Sequence, residues 1–244
     1  MRTSGVDEMA PPLLELAGVD SGYGEAQILY AVSISVAEGE LVCLIGPNGA
    51  GKSTVLKTVF GLLAPWAGTI TYAGAPIGGE PPADVVRTGI GYVPQRRNVF
   101  GSLTIEENLQ MGAVARDDDG SAVIAGLYEQ FPLLADKRAA RASTLSGGQR
   151  QILAFARALV PEPQLLLIDE PSAGLAPNTA EEVFAHVEAV NARGTAVLMV
   201  EQNAKRGLAI SDRGVVLDQG AVEFTAPADA VLEDERIAEL YLGG

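Results

Sequence analysis

The run Gly46-Pro47-Asn48-Gly49-Ala50-Gly51-Lys52-Ser53-Thr54 carries the spacing G-x-x-x-x-G-K-[ST] of a phosphate-binding loop. Glycines let such a backbone curl until several N–H groups point at the same phosphates. A helix that follows adds the positive end of its dipole. Lys52 supplies a mobile charge for the β- and γ-phosphates, and Ser53 Oγ is a hard oxygen ligand for Mg²⁺. The bland alternative is a glycine-rich turn that happens to contain Lys-Ser. A strand predicted before the run and a helix predicted after it weigh against that. Alone, the loop implies nucleotide triphosphate binding and nothing narrower.

Two further runs add chemistry. Leu165-Leu166-Leu167-Ile168-Asp169-Glu170 is an apolar strand ending in two carboxylates. Asp169, at a strand's carboxyl end, can hold Mg²⁺ through water, and Glu170 can polarise an attacking water. Alternation of strand side chains is expected to turn Glu170 away from Asp169. An apolar strand ending in Asp-Glu is common, so this pair gains its weight from the loop. Leu145-Ser146-Gly147-Gly148-Gln149 precedes a helix predicted from about Gln149 to Val160. Its serine and glycines form a second anion-binding helix start.

These residues need a scaffold, and the pattern around them supplies one. Leu13 to Leu44 reads as short β segments separated by turn signals such as Asp20-Ser21-Gly22-Tyr23-Gly24. Glu40 to Ile45 is a buried strand, and a helix is expected from Gly51 to about Leu63, with Val55, Leu56, Val59, Leu62 and Leu63 on one face. Gly68 to Ala73 and Ile90 to Val93 are further strands. From about Arg96 to Val160 the character is helical. Thr104-Ile105-Glu106-Glu107 has capping-box spacing there, and Asp117 to Gly120 forms a solvated break. Beyond Pro163 come a strand, a helix from Asn178 (its predicted cap) to about Asn191, and a strand at Thr195 to Val200. Two short strands (Arg213 to Leu217, Ala221 to Thr225) and a helical tail from Pro227 follow. Strands alternating with helices give a mainly parallel sheet with a helical lobe inserted between its halves.

Composition removes whole classes. The chain has 244 residues, 48% of them hydrophobic, which excludes wholesale disorder. Lys and Arg number 17 against 31 Asp and Glu, a net charge of -14. That opposes the basic footprint of a nucleic-acid binder, and the pair Arg96 and Arg97 is too small to reverse it. A single cysteine, Cys43, permits no intrachain disulfide and fits a reducing compartment. Residues 1 to 12 read as a flexible tail without the apolar segment of a signal peptide, and no run is long enough to cross a bilayer.

Phosphate loop, then Leu-Ser-Gly-Gly-Gln, then Leu-Leu-Leu-Ile-Asp-Glu, in that order and spacing, resembles the ATPase subunits of ABC transporters over residues 13 to 244. The resemblance implies an α/β fold: a P-loop NTPase (RecA-like) core with an antiparallel β subdomain (13–95 and 161–244) and an inserted α-helical subdomain (96–160). It implies ATP and Mg²⁺ as cofactors, with Gly46 to Thr54 (Gly46, Pro47, Asn48, Gly49, Ala50, Gly51, Lys52, Ser53, Thr54) on the phosphates and Tyr23 stacked on adenine. Ser53, Gln95 and Asp169 serve the metal, and Glu170 and Lys52 act in catalysis. Two such subunits pair head to tail, so that Ser146, Gly147, Gly148 and Gln149 of one chain complete the other's site. Membrane permeases receive the motion around the Gln95 loop and roughly Arg96 to Met111. A place at the cytoplasmic face of the membrane, peripheral and through partners, follows.

Two positions depart from the general family pattern. Gln202, in Val200-Glu201-Gln202-Asn203, stands where a switch histidine is usual, and Ala176 replaces a usual aspartate. Gln202 can donate to a γ-phosphate but cannot titrate. The only histidine, His186, falls in the helix before that strand and is left out of the site. Gly-Leu-Ala-Pro, Val-Glu-Gln-Asn and the terminal Tyr241 to Gly244 resemble the smaller ATPase of branched-chain amino-acid importers, as does Thr104 to Leu109. Those importers pair two different ATPases with two permeases and an external solute-binding protein, so the second ATPase is either another copy of this chain or a different subunit. Urea or short-amide importers are the next alternative, and a soluble ABC ATPase of repair or translation, or a regulatory module that does not hydrolyse, stands further off.

Overall fold

The computed structural model describes residues 11–96 and 98–234. The expected tail before residue 11, Arg97, the helical tail beyond 234 and Tyr241 to Gly244 lie outside the described residues. The strands are β1 (Leu14–Tyr23), β2 (Ala26–Val36), β3 (Leu41–Ile45), β4 (Ala67–Tyr72), β5 (Ala75–Pro76), β6 (Ile90–Val93), β7 (Leu165–Asp169), β8 (Ala196–Val200), β9 (Arg213–Asp218) and β10 (Ala221–Pro227). The helices are α1 (Lys52–Val59), α2 (Pro82–Arg87), α3 (Ile105–Gly112), α4 (Ser121–Gln130), α5 (Pro132–Asp136), α6 (Gly147–Leu159), α7 (Pro177–Asn191), α8 (Ala204–Ala209) and α9 (Ala228–Glu233).

Strands β3, β7 and β8 are apolar and buried at every position, apart from the terminal Asp169 of β7. Such runs read as parallel strands covered on both faces. They pair in the order β10-β9-β3-β8-β7-β6, parallel throughout except for the antiparallel edge strand β10. Alternation divides their side chains between two cores. Cys43, Ile45, Leu166, Ile168, Val197 and Met199 face the helices α6 and α7. Val42, Leu44, Leu165, Leu167, Leu198 and Val200 face α1 and an antiparallel sheet of order β2-β1-β4-β5. The α/β fold class expected from the sequence is the one observed, and the parallel strands deliver their carboxyl ends to one edge, beside α1.

Local boundaries differ in four places. The first β region is two long strands of 10 and 11 residues, kept paired through register shifts near Gly18 and Asp20 rather than broken by turns. Helix α1 stops at Val59, four residues short of expectation. Gly61 takes a left-handed φ of 75° and the Leu62 N–H bonds back to Lys57 O at 2.8 Å, a glycine-closed helix end that leaves Leu62 exposed. Helix α6 begins at Gly147 rather than Gln149. Helix α7 is capped by Ala176, not Asn178, because Pro177 occupies its first position, where a missing N–H costs nothing.

Candidate active site

The phosphate loop leaves β3 and enters α1. Gly46 is held against β9 so closely that a Cβ there would lie 2.0 Å from Leu217 O, and only glycine fits. Gly51, the N-cap of α1, has φ 101° and offers no side-chain cap; no acidic residue occupies the first turn. Helices α3 and α6 by contrast carry complete capping boxes, Thr104 with Glu107 and Ser146 with Gln149. The first N–H groups of α1 thus have no partner from its own side chains and point toward the loop. Lys52 is only 4% exposed, and its Nζ donates to Gly46 O at 2.8 Å and Pro47 O at 2.9 Å. Burial lowers its pKa, against the opposite pull of Glu170 and Asp169.

Ser53 Oγ donates to Asp169 Oδ1 at 2.7 Å, joining the start of α1 to the end of β7. Burial raises the Asp169 pKa, while hydrogen bonds from Ser53 and Tyr92 act the other way. Strand alternation does not aim Glu170. The strand ends at Asp169, and Glu170 adopts φ 46°, a left-handed conformation uncommon for a residue with a side chain. Its Oε2 accepts from Gln95 Nε2 at 2.5 Å, and burial raises its pKa while Lys52 lowers it. Glu170 lines one cavity of about 270 Å³ together with Tyr23, Asn48, Gly49, Lys52 and Ser53. Tyr23 is half exposed at its rim, and its hydroxyl accepts from Lys57 Nζ at 3.1 Å.

The remaining predicted residues stand apart from that cavity. Ser146 and Gln149 spend their side chains on each other's backbone N–H groups. The donors this helix start can offer outward are therefore the N–H groups of Gly147 and Gly148. A Cβ at Gly148 would lie 2.2 Å from Thr179 Cγ2, so α6 and α7 meet there only through glycine. Gln202 follows β8 two residues beyond the position aligned with Asp169; its side chain is exposed and its N–H donates to Glu201 Oε2 at 3.1 Å. His186 packs against Phe131 and Phe155 and lines the same cavity as Ser146, Gly148 and Gln149, not that of the phosphate loop.

Sequence reasoning passed over three residues that the folded chain brings into this network. Tyr92 reaches Asp169 from the neighbouring strand, and Lys57 reaches Tyr23. Glu201, 1% exposed, is the third. A carboxylate directly after a wholly apolar strand was the available signal for it. On the opposite side of β6 and α6 lies a mainly apolar groove of about 340 Å³, lined by Tyr92, Phe100, Met111, Val114 and Arg157 among others. Arg157 donates to Asn98 O at 2.9 Å and lies over the Phe100 ring, while Gln151 accepts from Asn98 at 2.6 Å.

Residues 29–173 match the ABC transporter family, more than half of the chain. A high-affinity branched-chain amino acid transport ATP-binding protein of Pseudomonas aeruginosa is 42% identical over 95% of this chain and 100% of its own length. A probable branched-chain amino acid transport ATP-binding protein of Archaeoglobus fulgidus is 38% identical over 95% and 99%. A Nod factor export ATP-binding protein of Mesorhizobium japonicum is 36% identical, over 99% of this chain and 72% of its own. Among solved structures, a nucleotide-free ATP-binding cassette from an ABC transporter superposes with a TM-score of 0.85 at 28% identity, covering 96% of this chain and 100% of that one. The chain belongs to the ABC transporter family, as one of its ATP-binding, ATP-hydrolysing cassettes.

Proposed function

We propose that this cassette energises uptake of branched-chain amino acids through partner permeases, with its ATP site at the cavity between the phosphate loop and Glu170. The carrying observation is that one cavity joins the loop, Lys52, Tyr23 and Glu170, while Ser53 and Gln95 tie it to both carboxylates. The amino-acid assignment rests on the two transport relatives, which match this chain over nearly all of both lengths.

In this reading the α1 N-terminus and the loop N–H groups hold the β- and γ-phosphates, and Lys52 turns an N–H donor toward them. Tyr23 stacks on the base. Glu170 orients a water in line with the γ-phosphorus and accepts its proton as the bond to the β,γ-bridging oxygen breaks and ADP leaves. A carboxylate pushed up by burial is closer to the pKa of an effective base than an ordinary one. Ser53 Oγ, buried Asp169 and the Gln95 amide are all oxygen donors suited to Mg²⁺, which usually takes one or two carboxylates together with phosphate oxygens and water. When bound there, the ion neutralises charge on the phosphates. Gln202 donates to the γ-phosphate. A second cassette supplies Gly147 and Gly148, since this chain's own Ser146, Gly148 and Gln149 line a different cavity.

The groove beside Phe100, Met111 and Val114 takes the permease, which would hold the protein at the cytoplasmic face of the membrane. Among the described residues no helix is long and apolar enough to cross it. An extracytoplasmic solute-binding protein would act on the permeases' far side. The test is reconstitution with permeases and a binding protein encoded alongside, measuring ATP-driven uptake of labelled leucine against labelled urea. Leucine uptake lost in Lys52→Ala is expected. Urea uptake without leucine uptake would overturn the substrate class. Glu170→Gln should bind ATP and accumulate as a closed dimer on gel filtration, and unchanged hydrolysis would remove Glu170 from its role.

A further inference from the structure

Glu201 is a carboxylate buried almost completely, and the hydrolysis scheme above leaves it without a task. It follows β8 directly, and its own N–H donates to Leu44 O of β3. Its Oε1 accepts from Ser172 N at 3.0 Å. Its Oε2 accepts from Ser172 Oγ at 3.0 Å, Gln202 N at 3.1 Å and Asn203 N at 3.3 Å. No cation lies within ion-pair distance of it among the described residues, so its hydrogen bonds all come from neutral donors. Room for the side chain is made by Gly207 of α8, where a Cβ would sit 3.0 Å from Glu201 Cβ and 2.7 Å from Cys43 Sγ.

Burying a carboxylate against neutral donors costs free energy that an apolar residue at this position would avoid. What the carboxylate provides instead is a shared acceptor for the two loops that follow β7 and β8. One loop leaves Glu170 and runs through Ser172 to Ala176, the cap of α7. The other carries Gln202. Because both Gln202 N and Ser172 Oγ bond to the same oxygen, a shift of either loop disturbs the other's hydrogen bond.

We infer that Glu201 is a positioning residue that locks the Gln202 loop and the segment after Glu170 into one unit, so that contact of Gln202 with the γ-phosphate sets the placement of Ser172 to Ala176 and of Glu170 before it. The inference rests on the site assigned above to Glu170 and Gln202. Glu201→Gln keeps the shape but turns one acceptor into an NH₂ group, which can face only one set of donors. At best it spares the Oε2 contacts and loses the Ser172 N–H. Glu201→Ala removes all four bonds.

The experiment uses the full chain and reads kcat, KM for MgATP and melting temperature for Glu201→Ala, Glu201→Gln, Ser172→Ala and the double variant Glu201→Ala with Gln202→Ala. Lys52→Ala and Glu170→Gln are run beside them. Residues acting as one unit give non-additive effects. Glu201→Ala should therefore lower kcat by at least about tenfold with KM changed by less than about twofold, Glu201→Gln should recover part of that loss, and the double variant should be no slower than the slower single. Should Glu201→Ala not fold, Glu201→Gln and its double with Gln202→Ala carry the same comparison. Wild-type kcat in the Glu201 variants, or losses that multiply in the double, would overturn the inference while leaving the site intact. Full hydrolysis by Lys52→Ala or Glu170→Gln would instead overturn the site itself, and the positioning role with it.

Discussion

An amide at position 202 changes what the third-phosphate contact can do. A histidine there would carry charge at low pH and lose it at high pH, whereas an amide such as that of Gln202 can donate a hydrogen bond at every pH. Its backbone is already fixed by Glu201, so its removal should leave the loop in place. Gln202→Ala is expected to slow turnover about tenfold or more while weakening ATP binding far less, as follows when a bond to a charged group matters most in the transition state. Equal rates in the two proteins would reject the contact. The one histidine belongs to stability instead. His186 packs its ring 4.7 Å from that of Phe131, and burial lowers its pKa while Glu182 pulls it up less strongly. A lowered folded pKa means that the unfolded chain takes up the proton first as pH falls. The stability is therefore intact above the unfolded value of about 6.5 and is lost below it. His186→Phe should narrow the drop in melting temperature between pH 7.5 and pH 5.5; an equally steep drop would show that His186 does not contribute to it. Residue identity was the legible part of the site: Lys52, Ser53, Asp169, Glu170 and Gln95 were all picked out by motif. Tyr92, Lys57 and Glu201 were not, because each acquires its role from a partner distant in the chain: Asp169, 77 positions on, for Tyr92, Tyr23, 34 positions back, for Lys57, and Ser172, 29 positions back, for Glu201.

Elements were legible where their signals are local. The capping box at Thr104 sits where the spacing required, and the unbroken apolar runs of β3, β7 and β8 mark strands covered on both faces. Ends set by distant contacts were not. Helix α1 closes at Gly61 because the chain must pass under Glu80, whose carbonyl would lie 2.0 Å from a Cβ there. Glycine also decides how closely α3 approaches α6. At Gly112, the last residue of α3, a Cβ would meet Arg157 O at 2.6 Å and Val160 Cβ at 2.9 Å. Neither contact can yield by rotating a flexible side chain, so the helices must part. Gly112→Ala is expected to cost about 1–3 kcal/mol through overpacking, a fall in melting temperature of about 2–12 °C for a chain of this size. Thermal unfolding followed by circular dichroism measures it, and an unchanged midpoint would mean that α3 and α6 are not in contact at Gly112.

For the whole molecule, the arrangement ties an apolar groove on one side to the phosphates on the other through short covalent and polar links. Phe100 and Arg157 line the groove; Arg157 and Gln151 of α6 hold Asn98; three residues earlier, Gln95 bonds Glu170. Tyr92 makes a second link, lining the groove while it interacts with Asp169 of the neighbouring strand. A partner seated in the groove would press on both carboxylates at once, without touching nucleotide. Three large apolar side chains at the rim, Phe100, Met111 and Val114, are 46%, 45% and 70% exposed, on a protein of net charge -14. Such side chains in a charged surface mark a contact with an apolar partner. A carboxylate at Val114 would have to be desolvated by that partner, with no cation among the described residues lining the groove except Arg87 and Arg157. Arg157 is already committed to Asn98 and Phe100. Val114→Glu should therefore abolish co-purification with the permeases, while the melting temperature of the subunit alone stays within about 2 °C, as is usual for an exposed site away from the core. Arg87 lies within the same groove, so Val114→Lys serves as the companion: it too buries a charge and should lose the permeases equally. Retention of the permeases by both variants would place the docking surface elsewhere on the molecule, and retention by one alone would show that charge of that sign, rather than apolar fit, governs the contact.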